Sequence, residues 1–235
     1  MAAGFTHLAT VGSTNDWLLA QAETLPDGHW VIADRQTAGR GRRGRVWNDG
    51  AGNLMASVLV RSQGATQQLS FVAALALHEA LGSLTAPAGD GRFALKWPND
   101  VLLDGIKCSG ILLERQGNAL VIGIGANLAG HPQGTERPAT SLAAAGLPVP
   151  APVQLLHELM PAFAALRQLW EREGFAPIRA RWLAAAAGLG GRLVARLGSE
   201  NPEGRFAGLA EDGALLLALD DGAVRAIHAG EVFAL

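Results

Sequence analysis

Residues 35–47, RQTAGRGRRGRVW, crowd five arginines (Arg35, Arg40, Arg42, Arg43, Arg45) and three glycines (Gly39, Gly41, Gly44) into one short loop. Guanidinium forks match the geometry of phosphate and carboxylate oxygens. Glycines let backbone N–H groups approach an anion closely. The glycines also spell G-x-G-x-x-G, but a dinucleotide fingerprint opens a helix and has an acid about 20 residues on. Here a turn and a strand follow, and VLVRSQG (58–64) carries no carboxylate. An Arg-Gly segment that binds single strands repeats and interleaves aromatics; this one occurs once, in a chain of net charge −2. The stretch reads as an anion clamp, mobile when empty and able to fold over its ligand.

A second cluster follows. In KWPND (96–100), Pro98 fixes the chain direction after Trp97 and sets Asn99 and Asp100 on a rigid turn,. In DGIKCSGILLE (104–114), Lys107 lies on the next strand with Gly110 leaving space beside it. A carboxamide, a carboxylate and an ammonium thus converge on one end of a sheet. Taken alone, the motif has a lesser reading as a hairpin with surface charges.

Together the segments resemble the biotin–protein ligases, short form, which adenylate biotin and transfer it to a carrier lysine. STN (13–15), QTAGRGRRGRVW (36–47), KWPND, KCSGIL (107–112) and GIGAN (123–127) stand in the family's order, and GALLLALDDGAVRAIHAGEV resembles its small SH3-like domain. Val46 stands where a second basic residue is often found, and Cys108 and Ser109 replace small or aliphatic residues before Gly110. Cys108 reads as a small buried filler. With the chain beginning almost at the ligase domain, no DNA-binding helix-turn-helix, no DNA partner and no repressor activity are expected.

The resemblance implies a site. Biotin would be held by Ser13, Thr14, Asn15, Gln36, Gly39, Arg40, Gly41, Arg42, Trp47, Lys107, Gly110 and Gly123, with the neutral hydroxyls and amide on the ureido ring. ATP would meet Arg40, Arg42, Arg45, Asn99, Asp100, Lys107, Gly125 and Asn127, with Asn127 on the adenine edge and Gly123 and Gly125 letting backbone come close. Biotin's carboxylate must attack an anionic α-phosphate, and Arg40, Arg42, Arg45 and Lys107 supply the neutralising charge. Lys107 would bridge the two anions, and Arg42 would help hold the adenylate. The second half-reaction needs a neutral acceptor amine, and at a pKa of about 10.4 only about 0.1% is neutral near pH 7.4. Asp100 is the candidate to receive that proton or orient the ammonium. Magnesium is expected to arrive with ATP, without a standing metal site in the protein. The histidines (7, 29, 78, 131, 157 and 228) show no metal-ligand spacing.

These residues need a scaffold. Ser13 or Thr14 is a helix N-cap before TNDWLLAQAE. HWVIAD (29–34), NLMASVLV (53–60), FALKW, KCSGILLER and ALVIGIGA read as strands, and NDG (48–50) as a turn,. Asp104-Gly105 is the two-residue turn of a hairpin. Residues 67–84 predict a long apolar helix buried on most sides. A Gly/Pro/Ala-rich connection (130–152) leads to helices PVQLLHELMPAFAALRQLWERE, which Pro161 could kink, and APIRARWLAAAA,. The expectation is an α+β fold, a mixed sheet flanked by helices in the biotin/lipoate-ligase and class II synthetase-like arrangement. Residues 1–188 would be the catalytic domain and 189–235 a small SH3-like β-barrel domain.

A hydrophobic fraction of 49% with 17% charged residues describes a globular chain,. No apolar run is long enough to span a bilayer, and the N-terminus shows no secretory signal. One cysteine suits a reducing compartment, so a cytoplasmic enzyme without membrane partner is expected,. The acceptor implied is the biotin carboxyl carrier protein of acetyl-CoA carboxylase or a related carboxylase. Monomer and sheet-edge homodimer are both compatible with the sequence. A lipoate–protein ligase and a non-catalytic biotin or nucleotide sensor are the rival readings.

Overall fold

The computed structural model describes residues 4–47, 50–62, 64–135, 137–198 and 200–235. Asn48 and Asp49, which open the expected NDG turn, lie outside the described residues. In chain order the first unit contains β1 (Phe5–Leu8), α1 (Thr14–Ala20), β2 (Trp30–Ala33), β3 (Leu54–Arg61), α2 (Leu69–Thr85), β4 (Phe93–Lys96), β5 (Asp100–Leu103), β6 (Ile106–Gln116), β7 (Ala119–Ala126), α3 (Pro152–Glu173) and α4 (Phe175–Ala184). The sheet order is β1-β2-β3-β7-β6-β5-β4. Among the described strands of this sheet only β1 and β2 pair in parallel, which makes the sheet mixed, as expected. The sequence reading missed β1, because FTHL is too short to show apolar alternation and gains its place by pairing with the buried β2.

Period-two patterning splits the sheet's faces. Leu54, Ala56, Val58 and Val60 of β3 join Leu120, Ile122, Ile124 and Ala126 of β7 in the main core under α2, α3 and α4. α2 is buried along most of its length, so its apolar residues run all round rather than in one stripe,. On the opposite face Leu18 of α1 packs with Val31, Leu59 and Val121; fully burying that one leucine is worth about 2 kcal/mol. Helix α1 starts only at Thr14, so the same face beyond its N-terminus is uncovered. There the strands carry Ser57 and Gly123, then Met55 and Gly125.

Asp104 (φ 52°) and Gly105 (φ 78°) both take the left-handed conformation that a two-residue type I′ hairpin turn demands,. Pro161 does not split α3; it is exposed, and the helix runs unbroken through it.

The C-terminal unit is a five-stranded antiparallel sheet of β8 (Arg192–Arg196), β9 (Glu203–Leu209), β10 (Leu215–Ala218), β11 (Val224–Ile227) and β12 (Glu231–Ala234), in the order β11-β10-β9-β8-β12. Its edges are β11 and β12, and no pairing between them closes a barrel among the described residues. Its apolar side chains, Phe206, Leu215 and Val232 among them, are continuous with the main core. Trp97 of KWPND is the anchor: its indole N–H donates to Gly213 O at 3.1 Å. Gln68 Nε2 donates to Glu211 O at 2.9 Å beside it. Among the described residues no helix is long and apolar enough to cross a membrane.

Candidate active site

One cross-sheet row organises the uncovered face. Met55, Gly125, Gly110, Asp100 and Lys96 lie opposite one another across β3, β7, β6, β5 and β4, so all five share one side. A cavity of about 220 Å³ opens over this row, roofed by the arginine–glycine loop and reached by Glu231 of β12. Of the sequence-predicted site residues, all line it except Gly39. Gly39 acts from behind: a Cβ there would lie 2.8 Å from Trp47 O and 3.0 Å from Gln36 Nε2, so only glycine lets the loop cross at that point.

The end of the cavity at the N-terminus of α1 is neutral and tightly bonded. Gln36 Oε1 accepts from Thr14 N (2.8 Å) and Thr14 Oγ1 (3.0 Å). Ser57 Oγ lies 2.7 Å from Thr14 Oγ1 and 2.6 Å from Asn15 Oδ1. An amide oxygen cannot donate, so the Ser57 proton belongs to Asn15. Asn15 Nδ2 then donates to Glu114 Oε2 at 2.7 Å. Ser13, Thr14, Asn15 and Ser57 are each at most 4% exposed, so these bonds are made where an unmet partner would be costly. Ser13 also caps α1, its Oγ accepting from Asp16 N at 3.4 Å; the cap reading and the cavity reading hold together.

The middle of the cavity is apolar. Trp47 lies over the glycine floor: a Cβ on Gly125 would come within 2.4 Å of its indole, and one on Gly110 within 3.4 Å of it and 3.3 Å of Lys107 Nζ. A Cβ on Gly123 would collide with Asn15 Oδ1 at 2.5 Å. In the structure Gly125, Gly110 and Gly123 make room for Trp47, Lys107 and Asn15, and the space beside Lys107 at Gly110 is the one expected. The Trp47 indole N–H is buried and has no acceptor among the described residues.

The far end is ionic. Lys107 Nζ bonds Asp100 Oδ1 at 2.6 Å, with the lysine about a third exposed and the aspartate less so. Arg42 donates to Asn99 Oδ1 (3.0 Å), and Asn99 Nδ2 is fixed by Ile111 O (2.6 Å). Burial pushes the Arg42 pKa below the usual arginine value while Asp100 opposes that shift. Arg45 pairs with Glu231 at 2.9 Å, and Arg137 also bonds Glu231. Burial would raise the Glu231 carboxyl, but the hydrogen bonds from Arg137 and Arg45 win and bring it to about 2. The loop is shaped by Gly41 N donating to Arg45 O (2.7 Å) and Trp47 N to Gly39 O (3.0 Å), with Arg43 and Gly44 at positive φ at its tip.

Two residues expected at the ATP end have protein partners. Arg40 Nε donates to Glu114 Oε1 at 3.0 Å and the Nη atoms hold Asp16. That pairing lowers the Asp16 pKa, through the hydrogen bond first. Arg40 therefore latches the loop to α1 and β6. Asn127 has its amide donor committed to Thr140 O at 3.0 Å, which ties the 127–142 connection to the sheet. Cys108 is as expected: burial raises its thiol to about 12, so it is an inert filler,.

Sequence reasoning missed Lys96, Arg137, Glu231, Met55 and Ser57. Lys96 stood in the quoted KWPND, and its cross-strand partnership with Asp100 was the available signal. Arg137 and Glu231 arrive from a loop and a distant strand, where nothing local marks them.

Residues 8–128 match the model of the biotin/lipoate A/B protein ligase family, and 190–235 that of the biotin protein ligase C terminal domain. The biotin--[acetyl-CoA-carboxylase] ligase of Paracoccus denitrificans is 46% identical over 96% of this chain and 98% of its own length. This chain belongs to the biotin protein ligase family. The bifunctional ligase/repressor BirA of Bacillus subtilis (strain 168) is 33% identical, with 88% of this chain aligned to 66% of that protein. Among solved structures, the Aquifex aeolicus biotin protein ligase in complex with biotin and ATP superposes with a TM-score of 0.86 at 28% identity, covering 99% of both chains. The Leishmania major biotin protein ligase with biotinyl-5-AMP gives 0.71 at 27% identity, covering 96% of this chain and 99% of that one. The biotin ligase fold thus spans both units, including the sheet that carries Glu231.

Proposed function

We infer that this chain is an ATP-dependent biotin–protein ligase. It joins biotin to AMP with release of pyrophosphate, then passes biotin to a lysine of a biotin carboxyl carrier protein of acetyl-CoA carboxylase or a related carboxylase. The observation that carries this reading is the sequence of chemistries along one cavity: a neutral hydrogen-bonding end, an apolar middle over glycines, and a cationic end. Biotin has the same order, with a neutral ureido ring, an apolar body and a carboxylate.

In the first half-reaction two anions must approach. Lys107 and Arg42 supply positive charge at the meeting point, in surroundings of lower dielectric than water. Asp100 holds the Lys107 ammonium, and Asn99 holds the Arg42 guanidinium. Both cations are therefore aimed before substrate arrives, which spares reorganisation during the reaction. Thr14, Gln36 and Asn15 address the ureido ring, and Trp47 covers the body. Ser57 serves behind them by fixing Asn15.

In the second half-reaction the acceptor lysine must lose a proton, a deficit of roughly 4 kcal/mol at neutral pH. Asp100 is assigned the orienting part of that role, since its carboxylate is anchored beside Lys107. The arginine–glycine loop shields the labile mixed anhydride from water until the carrier docks.

Magnesium belongs to the substrate in this reading, carried on the triphosphate and screening its charge. The carboxylates facing the cavity are already committed, Asp100 to Lys107 and Glu231 to Arg45 and Arg137. Residues 1–188 act as the catalytic unit and 189–235 as a second domain that closes the ionic end. The enzyme and its carrier would meet in the cytoplasm.

The test is incubation with ATP, magnesium, biotin and a biotin carrier domain, read by intact mass. A biotinyl adduct on one lysine supports the reading. Pyrophosphate exchange that depends on lipoate and not on biotin would replace it with the lipoate ligase reading, and binding of biotin without any exchange would make the chain a sensor.

A further inference from the structure

Of the chain's 19 basic residues only Lys96 and Lys107 are lysines; the other 17 are arginines. Both lysines line the active-site cavity. The chain has no tyrosine, and its single cysteine, Cys108, is buried, with its thiol pushed up to about 12 by that burial. Outside the cavity, then, the surface displays no lysine, tyrosine or cysteine side chain. Its positive charge is carried by residues such as Arg172, Arg192 and Arg225.

Amines, phenols and thiols are the side chains that an activated acyl group converts to lasting adducts. The proposed function, on which this inference rests, makes such a group: biotinyl-5′-AMP is a mixed anhydride with an open acyl carbon. Arginine supplies charge without becoming an acceptor. At pH 7.4 about 0.1% of an ordinary lysine is neutral, and the fraction for a guanidinium is lower by at least about a hundredfold. The clamp loop follows this plan, with Arg42 and Arg45 facing the cavity and no lysine in residues 35–47. Histidine is no lasting acceptor, because an acyl imidazole is itself activated and gives the acyl group up to water. The two lysines are restrained where they stand. Asp100 holds the Lys107 ammonium at 2.6 Å, and an ammonium has no lone pair with which to attack. Lys96 lies two strands away from Lys107, its Nζ 5.2 Å from the Phe233 ring centroid. Burial lowers its pKa while Asp100 acts the other way, which makes it the more liable of the two.

We propose that this chain is spared by its own reactive intermediate: with no acylatable side chain on its outer surface, biotinyl-5′-AMP that leaves the cavity biotinylates the amines of other proteins and not those of the enzyme. The same inventory means that a carrier lysine arriving at the cavity meets no competing surface ε-amine. In the step that the enzyme's surface escapes, a neutral amine's lone pair forms a C–N bond at the acyl carbon. The bond from that carbon to the phosphate oxygen breaks, and AMP leaves with its electron pair. The nitrogen then gives its extra proton to water. A guanidinium held protonated has no lone pair to begin that sequence.

The test supplies excess biotinyl-5′-AMP to the full wild-type chain mixed with an unrelated lysine-bearing protein, and maps biotinylated side chains by peptide mass spectrometry. The bystander should be labelled on its surface lysines and this chain left nearly bare, with what labelling remains confined to Lys96. Arg172→Lys and Arg225→Lys, made separately, keep the charge, lie outside the cavity and place an amine on the surface. Each should gain an adduct at the new lysine, at least about a hundredfold above the wild-type signal at that position. Inserted lysines that stay bare would overturn the proposal, because something other than missing amines would then protect the chain. So would wild-type side-chain adducts as abundant as those on the bystander. A separate incubation with biotin, ATP and magnesium addresses the reading beneath: a chain that forms no biotinyl-adenylate there would instead overturn the ligase reading.

Discussion

The two ends of the cavity are built on opposite physical plans. At the α1 end, Thr14, Asn15, Gln36 and Ser57 are buried and neutral, with Thr14 donating to Gln36 and Ser57 to Asn15. At the β4–β5 end, Lys107, Arg42, Arg45 and Arg137 are partly exposed and each leans on a carboxylate or carboxamide at its own margin. A neutral network in low dielectric is rigid and selective, since a mismatched ligand leaves a buried group unpaired. Ion pairs with access to water are easier to exchange for another anion. In the proposed function the first end therefore recognises and the second end reacts. Glu114 ties the first end to the arginine–glycine loop, accepting from Asn15 on one side and Arg40 on the other.

The comparison breaks most sharply at Lys107. Lys107→Met should lower kcat for adenylation about 10²–10³-fold, the usual effect of deleting one transition-state donor, in a biotin-dependent pyrophosphate exchange assay. Next comes Arg42→Gly, which removes the guanidinium held by Asn99 and should free biotinyl-adenylate about ten- to a hundredfold faster. Labelling of bystander lysines in an added unrelated protein reads that leak; full retention of the adenylate would reject the shielding role of the loop.

A smaller effect is expected at the recognising end. Gln36→Ala strands the Thr14 N–H and should raise the KM for biotin about tenfold, a cost of 1–2 kcal/mol, while the KM for ATP stays put in initial-rate kinetics. The smallest is the clamp between the units. Glu231 has its pKa brought down to about 2 by Arg137 and Arg45 against the opposing pull of burial. Its folded value lies below its unfolded one, so its contribution to stability is complete above about pH 4.5 and fades as pH falls toward 2. Melting curves of the wild type and Glu231→Gln should differ at pH 7 and converge in acid.

Legibility in the sequence followed locality. Hairpin turn, long buried helix and unbroken apolar strands were readable because Asp104-Gly105, residues 67–84 and ALVIGIGA each carry their own pattern. The short parallel strand β1 was not, since its stability comes from β2 and not from FTHL itself. At the site, motifs named residues that line one cavity but not their partners. The acids that pair with Arg40, Asp16 and Glu114, lie 24 and 74 residues away in sequence. That Trp47 and Asn15 occupy the space left by the strand glycines is visible only in the fold. Arg137 and Glu231 gave no signal, being joined only once β12 is laid against the 127–142 connection.

The division between a recognising end and a reacting end is tested most directly by biotin-dependent pyrophosphate exchange, measured against biotin concentration for Gln36→Ala and Lys107→Met. The account predicts that saturating biotin restores Gln36→Ala to near the wild-type plateau while Lys107→Met stays far below it at every concentration. Recovery of Lys107→Met at high biotin, with a depressed plateau for Gln36→Ala, would contradict it.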